Sequence, residues 1–205
     1  MPKLLLATNN KGKVREYKQL FRDLPFELVS PAELGIKTEV NEVGGSLEEN
    51  ARLKATTLAR ESQLLTLADD SGLEVDALGG EPGPLSARYA GAGASDKDRI
   101  NYLLARLRGV SGEKRSARFR CVIAIATPDG KVKLCSGECH GFITLEPKGR
   151  EGFGYDPVFY LPELGKTMAE LPMGVKNKIS HRGQAARRAR EVLMKWHSAA
   201  TPTSL

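Results

Sequence analysis

The sequence predicts an α/β protein in which a mixed sheet is flanked by helices. Short apolar runs over 4–7 and 64–68 are typical of buried strands, and polar residues that favour turns follow each run. Between these runs the apolar residues recur at helical spacing, and such alternation indicates a parallel sheet. The apolar segments 117–127 and 132–137 are joined by Pro128-Asp129-Gly130, which indicates an antiparallel hairpin added to the parallel core.

The first half of the chain is predicted to run strand, helix, strand, helix. Leu4–Ala7 forms the first strand and Phe26–Val29 the second. The helix between them has its apolar residues three or four positions apart, at Val14, Tyr17, Leu20 and Phe21. Ser46 begins the second helix, because a serine three residues before a glutamate, here Glu49, is typical of a capping box.

The second half is predicted to contain a third strand, a helix, the hairpin and a last helix. The third strand ends at the Asp69-Asp70 pair, and Ser71-Gly72 forms a turn. Ser95 with Asp98 makes another capping box, which begins the third helix. Ser180 begins the last helix, and the tail after about residue 197 is expected to be frayed.

Composition and charge exclude several classes of protein. With 40% hydrophobic and 27% charged residues, the 205 residues are interpreted as a single globular domain, 1–205, with two lobes. No apolar run approaches the roughly 20 residues of a membrane span, and no signal peptide is recognisable, so we expect a cytoplasmic protein without membrane association. The formal net charge of +6 suits a phosphate-rich small ligand better than nucleic acid, because no nucleic-acid-binding signature accompanies it.

The three cysteines, Cys121, Cys135 and Cys139, are odd in number and lack zinc-site spacing. His140 adjoins Cys139, but too few further ligands lie nearby for a metal site. We interpret the cysteines as buried thiols in a reducing compartment.

The Asp69-Asp70 pair is the clearest chemical feature. Carboxylates at the carboxyl end of a strand are suited to Mg²⁺, which prefers one or two carboxylates together with the phosphates of a substrate. A strand-to-turn corner, with Asp-Ser-Gly present for its backbone preferences, is an equally good interpretation of this segment alone. Glu49 has two competing interpretations as well: it binds a metal with Asp70, or it completes the Ser46 cap, which the residues alone favour.

Two further clusters carry polar residues suited to a nucleotide. The loop from Thr8 to Lys13 combines helix-start N–H groups, a hydroxyl, an amide and a lysine, as a phosphate site would, although alone it is better read as a tight turn. It lacks the glycines and the Gly-Lys-Ser/Thr ending of a Walker loop.

In 152–157 an aromatic ring between glycines can lie against a base, and Asp156 can accept a hydrogen bond from a base N–H. His181 and Arg182 can donate to a carbonyl or an anion.

Six segments, taken in order, form a recognisable set of motifs. They are Thr8-x-Asn10-x-x-Lys13, Glu49-Asn50-Ala51-x-x-Lys54-Ala55, Ala68-Asp69-Asp70-Ser71-Gly72-Leu73, Ser86-Ala87-Arg88-Tyr89-Ala90-Gly91, Gly152-Phe153-Gly154-Tyr155-Asp156-Pro157 and Ser180-His181-Arg182-Gly183. Each motif is weak alone, but six in sequence are highly specific. Over residues 3 to about 189 the chain resembles the Ham1 or inosine triphosphatase family of nucleoside-triphosphate pyrophosphatases.

The resemblance implies Mg²⁺-dependent hydrolysis of ITP, dITP and XTP to the monophosphate and pyrophosphate, which cleanses the nucleotide pool. It also implies a homodimer and an elongated mixed sheet, with the nucleotide in a central groove between two lobes. Glu49 and Asp70 would bind the metal, which overturns the preference for Glu49 as a cap, and Asp70 would be the general base. The choice of Asp70 over Asp69 rests on the adjacent Ser71. The implied substrate-binding residues are Thr8, Asn9, Asn10, Lys11, Gly12, Lys13, Lys54, Ser71, Phe153, Gly154, Tyr155, Asp156, Lys176, His181 and Arg182.

Three other functions remain as alternatives to this expectation. A nucleotide-binding regulator without catalysis would keep the base and phosphate motifs, but it would have little need for both Glu49 and Asp70. A nucleic-acid-binding protein would explain the basic surface and would bind with strong salt dependence. Another house-cleaning pyrophosphatase with a different base preference is the nearest alternative, and only a substrate profile separates it.

Overall fold

A computed structural model describes residues 1–40 and 45–200, except for the side chain of Ala200. Strands and helices alternate in the first part of the chain: β1 (Lys3–Leu6), α1 (Lys11–Leu20), β2 (Glu27–Val29), α2 (Leu47–Ser62), β3 (Leu65–Val75), β4 (Pro82–Gly83) and α3 (Asp96–Arg106). The remaining elements are β5 (Ser116–Ala126), β6 (Val132–Ile143), β7 (Phe159–Leu161), β8 (Lys166–Thr167), α4 (Met173–Ile179) and α5 (His181–Ala200). Every strand and helix predicted from the sequence is present.

The strands form one mixed sheet in the order β2-β1-β3-β5-β6-β7-β8, with β4 paired to β3. β1 pairs in parallel with β2 and with β3, where Leu4, Leu5 and Leu6 lie opposite Leu65, Thr66 and Leu67. The pairs β3–β4, β6–β7 and β7–β8 are antiparallel. The predicted α/β class with a mixed sheet is therefore confirmed.

The predicted end of the third strand is wrong. β3 continues through Asp69-Asp70-Ser71-Gly72 to Val75, and its far end pairs with β4 through Leu73 and Gly83. Gly72 permits this pairing, since a side-chain carbon there would collide with the carbonyl group of Gly83. Parallel pairing with β1 nevertheless stops at Leu67, so Asp69 lies just beyond the carboxyl end of the parallel pair.

Two other differences concern helices. A short helix, α4, precedes the last helix, and Ser180 alone separates α4 from α5. The helix α5 continues to Ala200, past the position near 197 where fraying was predicted, and residues 201–205 lie outside the described part of the chain.

The chain divides into two compact units. The first contains the described residues of Met1–Asp70, Val122–Ser136 and Gly183–Leu205, and the second contains Ser71–Cys121 and Gly137–Arg182. In the first unit, alanines and leucines of α2 pack with β1, β3 and β5, and Leu5, Leu47, Ala51, Ala55 and Ala124 are almost completely buried. In the second unit, the core is built around Leu73, Leu103, Val158, Phe159 and Met168.

The three cysteines are buried thiols outside any disulfide, as predicted. Burial raises the pKa of Cys139 to about 11, so this thiol stays protonated at neutral pH. Within residues 1–40 and 45–200, no helix is both long and apolar enough to cross a membrane.

Candidate active site

The loop from Thr8 to Lys13 is built around Asn10 as the N-cap of α1. The Asn10 side-chain oxygen accepts hydrogen bonds from the N–H groups of Gly12 (2.9 Å) and Lys13 (3.1 Å), and the Asn10 N–H donates to Thr8 Oγ1 at 3.2 Å. The side chains of Asn9 and Lys11 are exposed. The loop is thus both a tight strand-to-helix turn and an exposed helix start, where the helix dipole favours an anion.

Two lysines converge on Asp69 in the first unit. Lys13 Nζ lies 3.0 Å from Asp69 Oδ1, and Lys54 Nζ donates to the Asp69 backbone carbonyl at 2.8 Å. Asp69 is fully buried, and a buried carboxylate needs such a cation nearby. Asp69 therefore holds both lysines, Lys13 through its carboxylate and Lys54 through its backbone carbonyl.

Asp70 has a different partner. Asn50, in the first turn of α2, donates to Asp70 Oδ2 at 2.9 Å, and both residues are buried. This hydrogen bond ties the Asp70 carboxylate to the helical turn that carries the neighbouring Glu49. Asn50 was not predicted as a site residue, although its place beside Glu49 in the second motif was a signal.

The capping box predicted for α2 is only half present. Ser46 Oγ accepts from the Glu49 N–H at 3.2 Å, which confirms Ser46 as the N-cap. The return contact is missing, because among the described residues the exposed Glu49 carboxylate makes no hydrogen bond or ion pair. Of the two interpretations of Glu49, capping is therefore wrong, and the carboxylate remains available for an ion.

The donor set of Glu49 and Asp70 fits Mg²⁺. Both supply hard carboxylate oxygens, and the Asn50 hydrogen bond orients the one from Asp70. No group of three or more His, Cys, Asp or Glu side chains suited to a metal occurs in the described ranges. An ion held by two carboxylates would complete its shell with water and substrate phosphates, which is the usual arrangement for Mg²⁺.

The second unit begins at Ser71, directly after Asp70 in β3. Arg182, which is buried, donates from Nη2 to Ser71 Oγ at 2.9 Å. Two residues further along, the Leu73 N–H donates to Ser86 Oγ at 2.8 Å, and that hydroxyl donates to the Gly83 carbonyl at 2.6 Å. Ser86 was part of a quoted motif but was not predicted as a site residue.

The turn that carries Phe153 is closed by Asp156. The Asp156 Oδ2 atom accepts from the Phe153 N–H at 2.9 Å and from the ammonium group of Lys176, and this ion pair is buried. Gly152 is required here, because its φ of +76° is left-handed and a side chain would collide with the Asp156 carboxylate. Asp156 therefore shapes the turn, beside any part it has in accepting from a base.

The half-buried Phe153 ring lies close to two cations. Lys176 Nζ is 4.9 Å and Arg182 Cζ 5.4 Å from the ring centroid, distances at which cation–π attraction operates. The predicted aromatic platform is thus placed beside two of the predicted donors.

Tyr155, by contrast, points into the core of the second unit. Its hydroxyl donates to the Ser86 carbonyl at 2.8 Å, and burial raises the pKa of this phenol well above its usual value. Tyr155 therefore anchors the turn.

The backbone of Gly154 is held as well, since its N–H donates to Asp96 Oδ2 at 2.7 Å. Asp96 was not predicted as a site residue, because its neighbours Ser95 and Asp98 drew attention to the capping box alone.

His181, the first residue of α5, is also packed. Its ring stacks on Phe119, with 4.7 Å between centroids and 17° between planes, and only 4% of the residue is exposed. The stacking constrains the plane of the imidazole ring.

Comparisons with known proteins agree with the motifs. A sequence model of the Ham1 family matches residues 4–192. A curated protein of Desulforamulus reducens, named dITP/XTP pyrophosphatase, is 52% identical over 191 residues, which cover 93% of this chain and 95% of that protein. A solved Ham1 protein from Coxiella burnetii is 41% identical with a TM-score of 0.86, covering 95% of this chain and all of that one. A crystal structure of a nucleoside-triphosphatase / dITP/XTP pyrophosphatase from Mycobacterium abscessus is 35% identical with a TM-score of 0.70, covering 98% and 100%.

Proposed function

The chain belongs to the Ham1 family, and from that premise we propose that it is a Mg²⁺-dependent nucleoside-triphosphate pyrophosphatase. The proposed reaction converts ITP, dITP and XTP to the monophosphate and pyrophosphate. Its curated relatives carry the name dITP/XTP pyrophosphatase. The observation that carries the proposal is the buried hydrogen bond from Asn50 to Asp70, which joins one acidic side chain to the helical turn that bears the other, Glu49.

The first unit is proposed to act on the triphosphate. Glu49 and Asp70 would hold Mg²⁺, which when bound supplies positive charge to the phosphate oxygens. Lys13 and Lys54, held by Asp69, add further positive charge, and the start of α1 favours the anion. Phosphoryl transfer depends mainly on such positioning and electrostatics, so the reaction needs no covalent intermediate.

Asp70 is proposed to be the general base. Its carboxylate accepts a proton from a water that attacks the α-phosphorus, the bond from that phosphorus to the bridging oxygen breaks, and pyrophosphate leaves. The hydrogen bond from Asn50 holds the carboxylate in one orientation during this transfer.

The second unit is proposed to bind the base and sugar. The Phe153 ring would lie against the purine, and donors from His181 or Arg182 would match the carbonyl at position six of hypoxanthine and xanthine. Adenine presents a donor at that position, which would leave polar groups unpaired, and a mismatch of this kind costs about 10⁴-fold. We therefore expect ATP to be a far poorer substrate than ITP.

The experiment is pyrophosphate release from ITP, dITP, XTP, GTP and ATP, with and without Mg²⁺. We expect magnesium-dependent release from the first three and little from ATP or GTP. Equal activity across the panel would support the pyrophosphatase reaction and contradict the proposed contacts with the base. Nucleotide recovered unhydrolysed in the presence of Mg²⁺ would instead favour a binding protein without catalysis.

Replacement of Asp70 tests its catalytic role. Asp70→Asn keeps the shape but removes the proton acceptor and one metal ligand, so we expect the turnover rate to fall by at least about 100-fold. Asp23→Asn makes the same change on an exposed aspartate beyond α1 and should leave the rate unaltered. An Asp70→Asn protein with full turnover would contradict the assignment.

We further propose that the protein is a homodimer, acts in the cytoplasm and does not bind nucleic acid. The family resemblance supports the first point and the buried cysteine thiols support the second, while the third rests on the absence of a nucleic-acid-binding signature in the sequence. Sedimentation velocity tests the dimer, and salt-dependent binding to DNA or RNA would contradict the third point.

A further inference from the structure

Two carboxylates bind the backbone on either side of Phe153. The two peptide groups on either side of the Phe153 Cα carry the N–H of Phe153 and the N–H of Gly154. The first donates to Asp156 Oδ2 at 2.9 Å and the second to Asp96 Oδ2 at 2.7 Å. Because glycines with left-handed φ values of +76° and +62° flank Phe153, the backbone here has little rigidity of its own, and these two contacts hold it in place.

The two carboxylates differ in origin. Asp156 belongs to the same turn and is buried in its ion pair with Lys176. Asp96 comes from 58 residues earlier, in the first turn of α3, and its side chain is 45% exposed. Asp96 can therefore be substituted without disturbing the packed core, whereas Asp156 cannot.

Asp96 is itself held in place by Arg99. The guanidinium of Arg99 pairs with the second oxygen of Asp96 and donates to the backbone carbonyls of Ala87 (3.0 Å) and Ala94. The Asp96 carboxylate thus belongs to a regular helix and is linked through Arg99 to the loop that precedes this helix. Such support is what a group needs if it is to position another segment.

We propose that Asp96 is a positioning residue for substrate: by binding the Gly154 N–H, it holds the Phe153 ring in the direction in which the purine base packs against it. This inference rests on the proposed function, in which Phe153 contacts the base. Lys176 and Arg182 lie beside the same ring, so a displaced ring also loses its place relative to these cations.

The N-terminal cap of α3 does not involve the Asp96 side chain. The cap of this helix is the reciprocal pair in which Ser95 Oγ accepts from the Asp98 N–H and Asp98 Oδ2 accepts from the Ser95 N–H, at 3.2 Å and 2.9 Å. Asp96 and Asp98 are thus two acids in one helical turn with separate tasks. They offer a matched pair of variants with the same charge change.

The test compares the kinetics of dITP hydrolysis in Asp96→Ala, Asp96→Asn and Asp98→Ala. For Asp96→Ala we expect KM to rise about fivefold and kcat to stay within about twofold, because the base lies away from the reacting phosphorus and its contact is equal in the ground and transition states. Asp96→Asn keeps an oxygen that accepts from Gly154 and should restore most of the affinity. Asp98→Ala should lower Tm by about 3 °C and leave KM unchanged.

Two further measurements separate positioning from a general structural effect. In a Phe153→Leu background, which lacks the ring, Asp96→Ala should raise KM by less than about twofold further. Hydrogen exchange of the segment 152–156, measured without nucleotide, should become faster in Asp96→Ala but not in Asp98→Ala.

The outcomes distinguish this inference from the proposed function. If the wild-type protein hydrolyses dITP and Asp96→Ala has the wild-type KM, the inference is overturned and the function stands. An equal rise of KM in Asp98→Ala would also overturn it, since the effect would then come from the helix end as a whole. A wild-type protein that releases no pyrophosphate would overturn the proposed function and this inference with it.

Discussion

The neighbouring residues Asp69 and Asp70 have different surroundings, although their side chains are chemically the same. Two lysines lie against Asp69, whereas the neutral amide of Asn50 binds Asp70. The Lys13 ammonium helps to compensate the buried charge of Asp69, and the Asn50 amide orients the Asp70 carboxylate. The choice of Asp70 over Asp69 as metal ligand and base still rests on the adjacent Ser71, and the Asn50 contact adds that Asp70 is held beside the turn that carries Glu49.

The contact between Lys13 and Asp69 predicts a large effect on stability. Lys13→Met removes the ammonium group that lies 3.0 Å from a fully buried carboxylate, so we expect the free energy of unfolding to fall by about 3 kcal/mol. Urea denaturation measures the change. The double variant Lys13→Met/Asp69→Asn should recover more than half of the loss, because the buried charge is then absent. A single variant as stable as the wild type would show that Asp69 does not depend on Lys13.

Among the elements, α2 ends in an unusual way. Its C-cap residue, Gln63, has a left-handed φ of +55°, and among residues 1–40 and 45–200 it is the only residue other than glycine with a positive φ. Glycine adopts this conformation without the steric cost that a side chain brings, and for that reason it is common after helices.

Replacement of Gln63 by glycine should therefore stabilise the protein. We expect Gln63→Gly to raise the free energy of unfolding by about 0.5–1 kcal/mol, net of the lost hydrogen bond from Gln63 Nε2 to the Arg60 carbonyl. Gln63→Ala is the control, since it loses the same hydrogen bond and keeps the strained conformation, and it should be slightly destabilising. A glycine variant no more stable than the alanine variant would contradict this account.

The elements predicted correctly are those with a local signal. Ser46 and Ser95 begin helices where the sequence placed them, because the capping contact is made with a residue only three positions away. The end of β3 was predicted wrongly, because Asp69-Asp70-Ser71-Gly72 has the composition of a turn while its pairing partner, β4, lies across a separate loop. The helix α4 was missed because Pro172, Gly174 and three polar residues give it no apolar periodicity.

The sequence named candidate site residues but did not predict their contacts. Motifs singled out the acids, lysines and aromatic residues, but the tasks of Asn50 and Asp96 depend on hydrogen bonds to residues 20 and 58 positions away. Such pairs are set by packing of whole elements, which local spacing does not encode. For the same reason the sequence did not predict that Tyr155 turns inward or that Asp156 pairs with Lys176.

For the whole molecule, the response to acid can be predicted from Glu74. Burial raises the pKa of this carboxyl, but hydrogen bonds and charge from Arg118 and Arg120 outweigh it, so that the pKa lies below its usual value. A group whose pKa is lowered by folding contributes stability above its unfolded pKa of about 4.3, and that contribution is lost as the pH falls through the folded-state pKa. Glu74 thus stabilises the protein at neutral pH and ceases to do so in acid.

The variant Glu74→Gln should be less stable than the wild type by about 1 kcal/mol at pH 7, and the difference should shrink below about pH 4.3. Thermal unfolding at a series of pH values measures it. The exposed Glu113 provides the control, because Glu113→Gln makes the same change without the arginine contacts. A stability difference between Glu74→Gln and the wild type that stays constant from pH 7 to pH 3 would show that the charge of Glu74 does not cause it.

The division of the chain into two units determines the order in which their residues emerge from the ribosome. The second unit ends at Arg182, whereas the first, although it begins at Met1, also includes the helical segment after Gly183. A nascent chain therefore exposes every part of the second unit before it exposes the last part of the first. The first unit therefore cannot complete its fold until the segment after Gly183 has been translated, more than a hundred residues after Asp70.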